Sequence, residues 1–396
     1  MILKCLVLST SFPGSERDTS GIFILQLVQA LVKKECDITV ITPANANKEV
    51  LNWTSPHCEV IRFRYAPRPF QLLAQKPGGI PAALKKNFLL YTLLPPFILS
   101  FLFYILKESR NCDVIQANWA ICGWLAIILK PFHKKPIFVT LRGSDVFVKG
   151  EGGQQKTTIL LKTVVKFSAA VVTVSESMAK NFSDSMPSYK EKIIVIPNGV
   201  SASFFEQAKN YKQKKIHILK LIFIGSLVHG KGVDQLLRSL YQIRSRGVFL
   251  HVVGEGPLEN ELKYLVKKLG LTAKVGFVGA VPHENIPQIL QSADVFVLPS
   301  HHEGRPNVVL EAMAMGLPII GTNISGIREL VRNYKTRILF NDYDIHGLTE
   351  AITYFIDNPD RIEVMGQASR EWILSQGLTW NNTAKAYLDL FSSTVQ

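Results

Sequence analysis

Two carboxylates, Glu303 and Glu311, stand eight positions apart in the stretch S-H-H-E-G-R-P-N-V-V-L-E-A-M-A-M-G-L-P, residues 300–318. Each can accept hydrogen bonds from a diol. Between them the pattern places the start of a helix, whose first N–H groups form a ready anion site. Two acceptors around an anion site suit a polyhydroxylated phosphate ester, one carboxylate for each ring of a sugar nucleotide. A second anion signal is G-S-L-V-H-G-K-G, Gly225 to Gly232, where pliable backbone and the single cation of Lys231 can approach a diphosphate. It is not a P-loop, which needs Ser or Thr where Gly232 stands. Nor does Gly254–Gly256 open a dinucleotide fingerprint, because the third glycine is missing and Pro257 intervenes. A nicotinamide enzyme is therefore not expected.

Metal and triad chemistry find little support. Asp342 and Asp344 form a D-x-D in a late polar loop, which chance explains better than a metal does. His301 and His302 are chain neighbours, which rarely hold one ion together, and no helical carboxylate–histidine pair accompanies them. The first 200 residues contain only His57 and His133, so no Ser–His–Asp arrangement can be argued there. No metal is expected.

These loops need a scaffold, and the chain supplies strands and helices in alternation. Apolar runs at 2–8, 37–41, 113–117, 136–141, 170–174 and 193–196 read as strands, with helical periodicity between them, for example over 21–34 and 120–130. A turn, Pro197 to Val200, and the polar stretch 206–215 close this series. A second series follows, with strands at 219–224, 249–253, 275–278, 295–298, 318–321 and 337–340. Glu303 then hangs in a strand-to-helix loop, Pro306 takes the first helical position, and Glu311 lies one turn inside on the face of Asn307. Gly316 and Pro318 stop that helix. The expected division is a Rossmann-like domain over 1–200, a second over 201–375, and an amphipathic segment, 376–396, crossing back onto the first.

At 396 residues, 47% hydrophobic and 19% charged, the chain suits two packed α/β domains. Its basic excess is uneven: 24 Lys and Arg against 13 Asp and Glu in residues 1–200, but 21 against 18 in the remainder. The five cysteines include no C-x-x-C and read as reduced, buried thiols, which points to the cytoplasm. Residues 88–106 carry no charge over 19 positions, the length of a bilayer span, but Pro95 and Pro96 interrupt the run and lysines and arginines flank it. A helix buried in the first domain, and one resting on a membrane surface through 84–110, are both stronger readings than a span. The basic excess favours the second.

E-G-R-P-N-V-V-L-E-A-M-A-M-G-L-P resembles the signature of the family 4 glycosyltransferases. Similar motifs span the chain in order: G-I-F (21–23), T-L-R-G-S-D (140–145), I-P-N-G-V (196–200), K-G-V-D (231–234), V-G-E-G-P (253–257) and A-D-V-F-V-L-P-S (293–300). The resemblance implies a GT-B fold of two Rossmann-like domains facing a cleft, with no metal or other cofactor beyond the donor, a nucleotide-diphosphate sugar. It implies transfer with retention of anomeric configuration. Glu303 would hold the donor sugar and Glu311 the ribose. Lys231, Gly225, Ser226, Gly304, Arg305, Pro306, Asn307 and Val308 would surround the diphosphate, Val281 the base, and Gly21 would approach from the first domain. Arg142 and Asp145 would meet the acceptor.

Two positions depart from the family pattern. Ser226 stands where many members carry an arginine that assists Lys231, so one charge-assisted contact is lost unless Arg305 or Arg142 substitutes. Q-A-N-W, Gln116 to Trp119, puts Asn118 where the family often has a histidine beside the reacting sugar. Asn118 can bond the sugar but cannot take a proton. The reaction expected is transfer from a UDP- or GDP-sugar to a lipid-linked or growing surface glycan, by a cytoplasmic protein on an anionic membrane face; nucleic acid is not an expected partner. A catalytically weak relative that binds sugar nucleotide or glycan within an assembly stays open beside it.

Overall fold

The computed structural model describes residues 2–15, 18, 20–46, 55–74, 79–143, 159–208, 218–330 and 336–395. The chain forms two units, Met1–Asn198 together with Trp380–Gln396, and Gly199–Thr379, each built on one parallel sheet.

The first sheet contains β1 (Lys4–Leu8), β2 (Asp37–Pro43), β3 (Cys58–Phe63), β4 (Val114–Asn118), β5 (Ile137–Leu141), β6 (Ala170–Thr173) and β7 (Ile193–Val195). Their spatial order is β3-β2-β1-β4-β5-β6-β7, so the direction of winding reverses between β1 and β4. Strands covered on both faces read as unbroken apolar runs such as C-L-V-L of β1, which is why most were visible as sequence. β3 was not foreseen. Its C-E-V-I-R-F places Glu59 and Arg62 in an edge strand, where charge is tolerated and the apolar signal is diluted. All five cysteines are free and buried. Burial pushes the Cys36, Cys58 and Cys112 thiols up to about 12, so they stay protonated and unreactive at neutral pH.

The apolar run near residue 90 belongs to this unit. A 3₁₀ turn, Phe88–Leu93, leads into a helix, Leu94–Glu108, and Pro95 and Pro96 fall in its first turn. There they open the helix rather than interrupt it, because first-turn N–H groups have no intrahelical partner to lose. Phe97, Phe101 and Ile105 turn inward, with the Phe101 ring stacked on Phe63 at 4.7 Å and Phe97 edge-on to Tyr65 at 5.1 Å.

The last helix, Trp380–Val395, completes the same unit. It packs beside the helix Ile22–Val32, buries Tyr387 and Phe391, and brings the Phe391 ring to 4.8 Å from Phe138 of β5. The Tyr387 hydroxyl lies 2.9 Å from Thr140 Oγ1.

The second sheet holds β8 (Leu219–Ile224), β9 (Val248–Val253), β10 (Val275–Gly279), β11 (Val295–Leu298), β12 (Ile319–Thr322) and β13 (Arg337–Phe340) in the order β10-β9-β8-β11-β12-β13. The winding reverses between β8 and β11, and the loops leaving those strands are the two expected anion loops. A helix, Ala202–Ala208, opens this unit where a polar linker was expected; residues 209–217 lie outside the described set. The helix Asp360–Ser375, also unforeseen, packs on the helix Asn307–Ala314. Contact there is so close that a Cβ on Gly366 would sit 1.9 Å from the Gly316 carbonyl oxygen.

Candidate active site

In the second unit the loops after β8 and β11 are stitched together by backbone. Gly232, at φ +65, opens the helix Val233–Gln242, and a Cβ there would fall 2.1 Å from the Pro299 carbonyl oxygen. Only glycine fits both the left-handed turn and that approach. The His301 N–H donates to the Gly230 carbonyl at 3.0 Å. The result sets Lys231 Nζ 2.5 Å from Glu303 Oε1, with both side chains mostly buried. Thus the cation of one anion loop and the carboxylate of the other meet at the switch point of the sheet, where ligands of open α/β sheets bind.

The glycines of V-G-E-G-P serve the same packing. A Cβ on Gly254 would lie 2.0 Å from the Gly225 carbonyl oxygen, and one on Gly256 2.3 Å from that of Leu227. Gly225 is thereby pressed against the end of β9, and the Ser226 carbonyl accepts from the Val228 N–H. Val281, past Gly279, packs on the core of this unit. Glu303 is supported from below: a Cβ on Gly326 would lie 2.2 Å from its carbonyl oxygen and 2.8 Å from that of Gly304. Pro306 is extended, at φ −73 and ψ 110, and precedes the helix instead of beginning it, so Asn307 and Val308 hold the first helical positions.

Arg305 is used otherwise than expected. Its guanidinium pairs with Glu329 at 3.3 Å and is almost wholly buried, which fixes the loop rather than replacing the missing arginine beside Lys231. Asp342 and Asp344 also find plain roles. Asp342 accepts from His301 Nδ1 at 2.5 Å, while Asp344 caps the helix Ile345–Asp357 through the Gly347 N–H. Among the described residues no group of three or more His, Cys, Asp or Glu could hold a metal ion.

Glu311 is buried at 6% exposure, and its Oε1 lies 2.8 Å from His283 Nε2. Sequence reasoning missed His283, because the two residues are joined only when the loop after β10 folds over the helix. Burial alone would lower the His283 pKa, but the neighbouring carboxylate and its hydrogen bond outweigh burial and raise it above the ordinary value of 6.5. A folded-state pKa above the unfolded one adds stability that is fully present below 6.5 and is lost as pH rises through the folded value. Thermal unfolding should therefore show His283→Gln destabilised most near about pH 6, with the gap to wild type shrinking on the alkaline side. A gap that widened with pH would refute the pairing.

In the first unit the corresponding edge carries a different cluster. Asn118, at the end of β4, is fully buried and its amide is saturated. Its Nδ2 donates to the Leu8 carbonyl at 3.3 Å and to Gln116 Oε1 at 3.0 Å. Its Oδ1 accepts from Arg142 Nη2 at 2.8 Å and from Gln116 Nε2 at 3.4 Å. All four hydrogen-bonding positions of the Asn118 amide are thus taken within this unit. Arg142 is the group it positions. The guanidinium also donates to Asn198 Oδ1 at 2.8 Å and lies over the Phe23 ring at 4.6 Å. Beside it Trp119 adopts φ +66, uncommon for a bulky residue, with its ring edge-on to Phe23 at 6.2 Å. Gly21 starts the helix bearing Phe23 at φ +76, and a Cβ there would strike the Ser11 carbonyl oxygen at 2.3 Å. Asp145 lies outside the described residues.

Residues 20–204 match the family model described as Glycosyltransferase Family 4, and residues 204–372 the one described as Glycosyl transferases group 1. A glycogen synthase of Mycobacterium tuberculosis is 28% identical over 291 residues, covering 72% of this chain and 69% of that protein. The capsular polysaccharide biosynthesis glycosyltransferase CapM of Staphylococcus aureus is 24% identical over 298 residues, 72% of this chain and 78% of that one. Among solved structures, Anabaena HepE in complex with UDP-glucose has a TM-score of 0.75 at 19% identity, covering 99% of this chain and 100% of that one. That likeness establishes the fold.

Proposed function

The chain belongs to the family 4, group 1 glycosyltransferases of GT-B fold, enzymes that use nucleotide sugars, and on that premise we propose that it transfers a hexose with retention to a lipid-linked or growing surface glycan. The observation that carries this reading is the meeting of Lys231 and Glu303 at the switch point of the second sheet. On binding, the donor diphosphate takes Lys231 from the carboxylate and rests against the first turn at Asn307 and Val308, which meets its charge without a metal ion. Glu303, released, accepts hydrogen bonds from the sugar hydroxyls, and Glu311 accepts from the ribose diol. The C1–O bond to the diphosphate breaks as the acceptor oxygen attacks the same face. The leaving phosphate oxygen takes the acceptor's proton, so Asn118 need not. Arg142, held by Asn118 and Asn198, meets the acceptor in the first unit.

A UDP-sugar is supported by the UDP-glucose complex of HepE, and a surface glycan by the role named for the staphylococcal relative. Five free, buried thiols favour a cytoplasmic location. Thermal shift across UDP- and GDP-sugars, followed by radiolabel transfer to lipid extract, tests the reading. One donor should raise the melting temperature and be turned over. Stabilisation without turnover on any acceptor would select a sugar-nucleotide-binding relative, the reading that the saturated amide of Asn118 favours.

A further inference from the structure

The segment 88–111 is long and apolar enough to cross a membrane, with a mean hydropathy of 2.0 over an 18-residue window of it, yet the fold puts it to another use. Along the helix Leu94–Glu108 the positions Phe97, Phe101 and Ile105 recur every four residues and are buried, with Phe97 and Phe101 against Phe63 and Tyr65. Residues 95, 96, 99, 103 and 107 form the opposite stripe and face outward. Leu99 is 67% exposed and Phe103 62%, and the preceding turn adds Phe88 at 76%, with Leu89 and Tyr91 also exposed. A span would strip the inner face from its core. A helix half held by protein and half bare is suited to lie along an interface instead.

Three observations indicate what covers it. First, the charge around the stripe has one sign: from residue 60 to residue 107 the sequence carries seven Lys and Arg and no Asp or Glu. Lys85, Lys107 and Arg110 are exposed at its ends, and Arg64 adjoins it, because the Ser100 hydroxyl donates to the Arg64 carbonyl at 2.8 Å. Glu108 pairs with Lys107 at 3.3 Å and is largely covered. Second, two hydroxyls beside the stripe are satisfied from within. The Thr92 hydroxyl donates to the Leu89 carbonyl at 2.7 Å, and that of Ser100 is engaged as above, so little is offered for hydrogen bonding to a protein partner. Third, a second copy of this face would bring cation against cation, which disfavours self-association.

We propose that this face docks flat on an anionic bilayer, with Phe88, Leu89, Tyr91, Leu99 and Phe103 among the headgroups and Lys85, Lys107 and Arg110 on lipid phosphates. Tyr91 suits the headgroup level, where an aromatic ring meets lipid and its hydroxyl meets water. The basic rim supplies long-range attraction and the apolar stripe the short-range hold, so neither alone gives stable binding. The docking rests on this face alone, not on the glycosyl-transfer reading.

Sedimentation of the full chain with vesicles tests it and reads no turnover, so its failure and failure of the transferase reading are separate results. Wild type should partition onto phosphatidylcholine vesicles containing phosphatidylglycerol about tenfold better than onto phosphatidylcholine alone, and lose most of that gain in high salt. The double variant Leu99→Glu, Phe103→Glu should lose binding by at least about tenfold. Both positions are exposed, so its melting temperature should be unchanged; if it misfolds, Leu99→Ser with Arg110→Gln replaces it. The proposal is overturned by wild type that ignores anionic vesicles or by folded variants that bind as well as wild type. A concentration-dependent dimer abolished by the same substitutions would overturn it in favour of a second copy. Retention in membranes after an alkaline carbonate wash would overturn it in favour of a span.

Discussion

Glu303→Gln should lower turnover by about 10³-fold, roughly 4 kcal/mol of transition-state stabilisation, while leaving the affinity for the bare nucleoside diphosphate equal or tighter. The two effects differ in sign because the proposed reaction gives Glu303 two partners at different times. In the free protein its carboxylate holds Lys231 at 2.5 Å. The neutral amide keeps at most a weaker hydrogen bond to the ammonium, so Lys231 passes to the diphosphate without having to break an ion pair. What is lost is the acceptor for the sugar hydroxyls, needed as C1 gains positive character. Calorimetry with the diphosphate, beside steady-state transfer, measures both halves. A variant that kept its turnover within twofold would remove Glu303 from the reaction. Parallel loss of turnover and diphosphate affinity would instead make it a loop-holding residue.

Arg142→Ala should cost about 10²-fold in turnover and also roughly 3 kcal/mol in stability of the first unit. Here the two losses share a sign. Arg142 bridges Asn118 and Asn198, one fully buried and the other nearly so, and truncation leaves their carbonyl oxygens short of a donor in low dielectric. Arg142→Lys separates the roles, because an ammonium keeps the charge but cannot span both amides as a planar fork does. The lysine variant should regain part of the stability and little of the turnover. Equal recovery of both in urea melts and transfer assays would show that charge, not orientation, is what the cluster supplies.

Which parts of this site were legible beforehand follows from the range of the interactions that build it. Lys231 and Glu303 each follow a strand with an apolar run, L-I-F-I and V-F-V-L, so strand, loop and helix could be placed and the loops assigned to one sheet edge. That adjacency needs only the topology of a doubly wound sheet. The His283–Glu311 pair needs the loop after β10 to fold over the helix Asn307–Ala314, and residue order does not encode that approach. The Asn118 network is still less local. Its fate depends on Gln116 of its own strand, on Arg142 just past the end of β5, and on a chain of hydrogen bonds ending at Tyr387, which lies 247 positions from Thr140. Read alone, Asn118 looked like a sugar ligand; with its partners in place it is a saturated buried amide. The helix Asp360–Ser375 escaped notice because its packing face turns on Gly366, a residue that argues against a helix until the Gly316 carbonyl beneath it is known.

The helix Trp380–Val395 also sets an order of assembly. A ribosome releases all of Gly199–Thr379 before Trp380 appears, so the second unit can close while the first still lacks Tyr387 and Phe391. At ordinary elongation rates the 182 residues from Gly199 to Trp380 take roughly 10–40 s to make. Throughout that interval the half-made first sheet shows Phe138 and Thr140 uncovered. The part of the protein synthesised first is thus the part that finishes folding last, and a chain cut short by a few turns would strand it with its core open to chaperones and proteases.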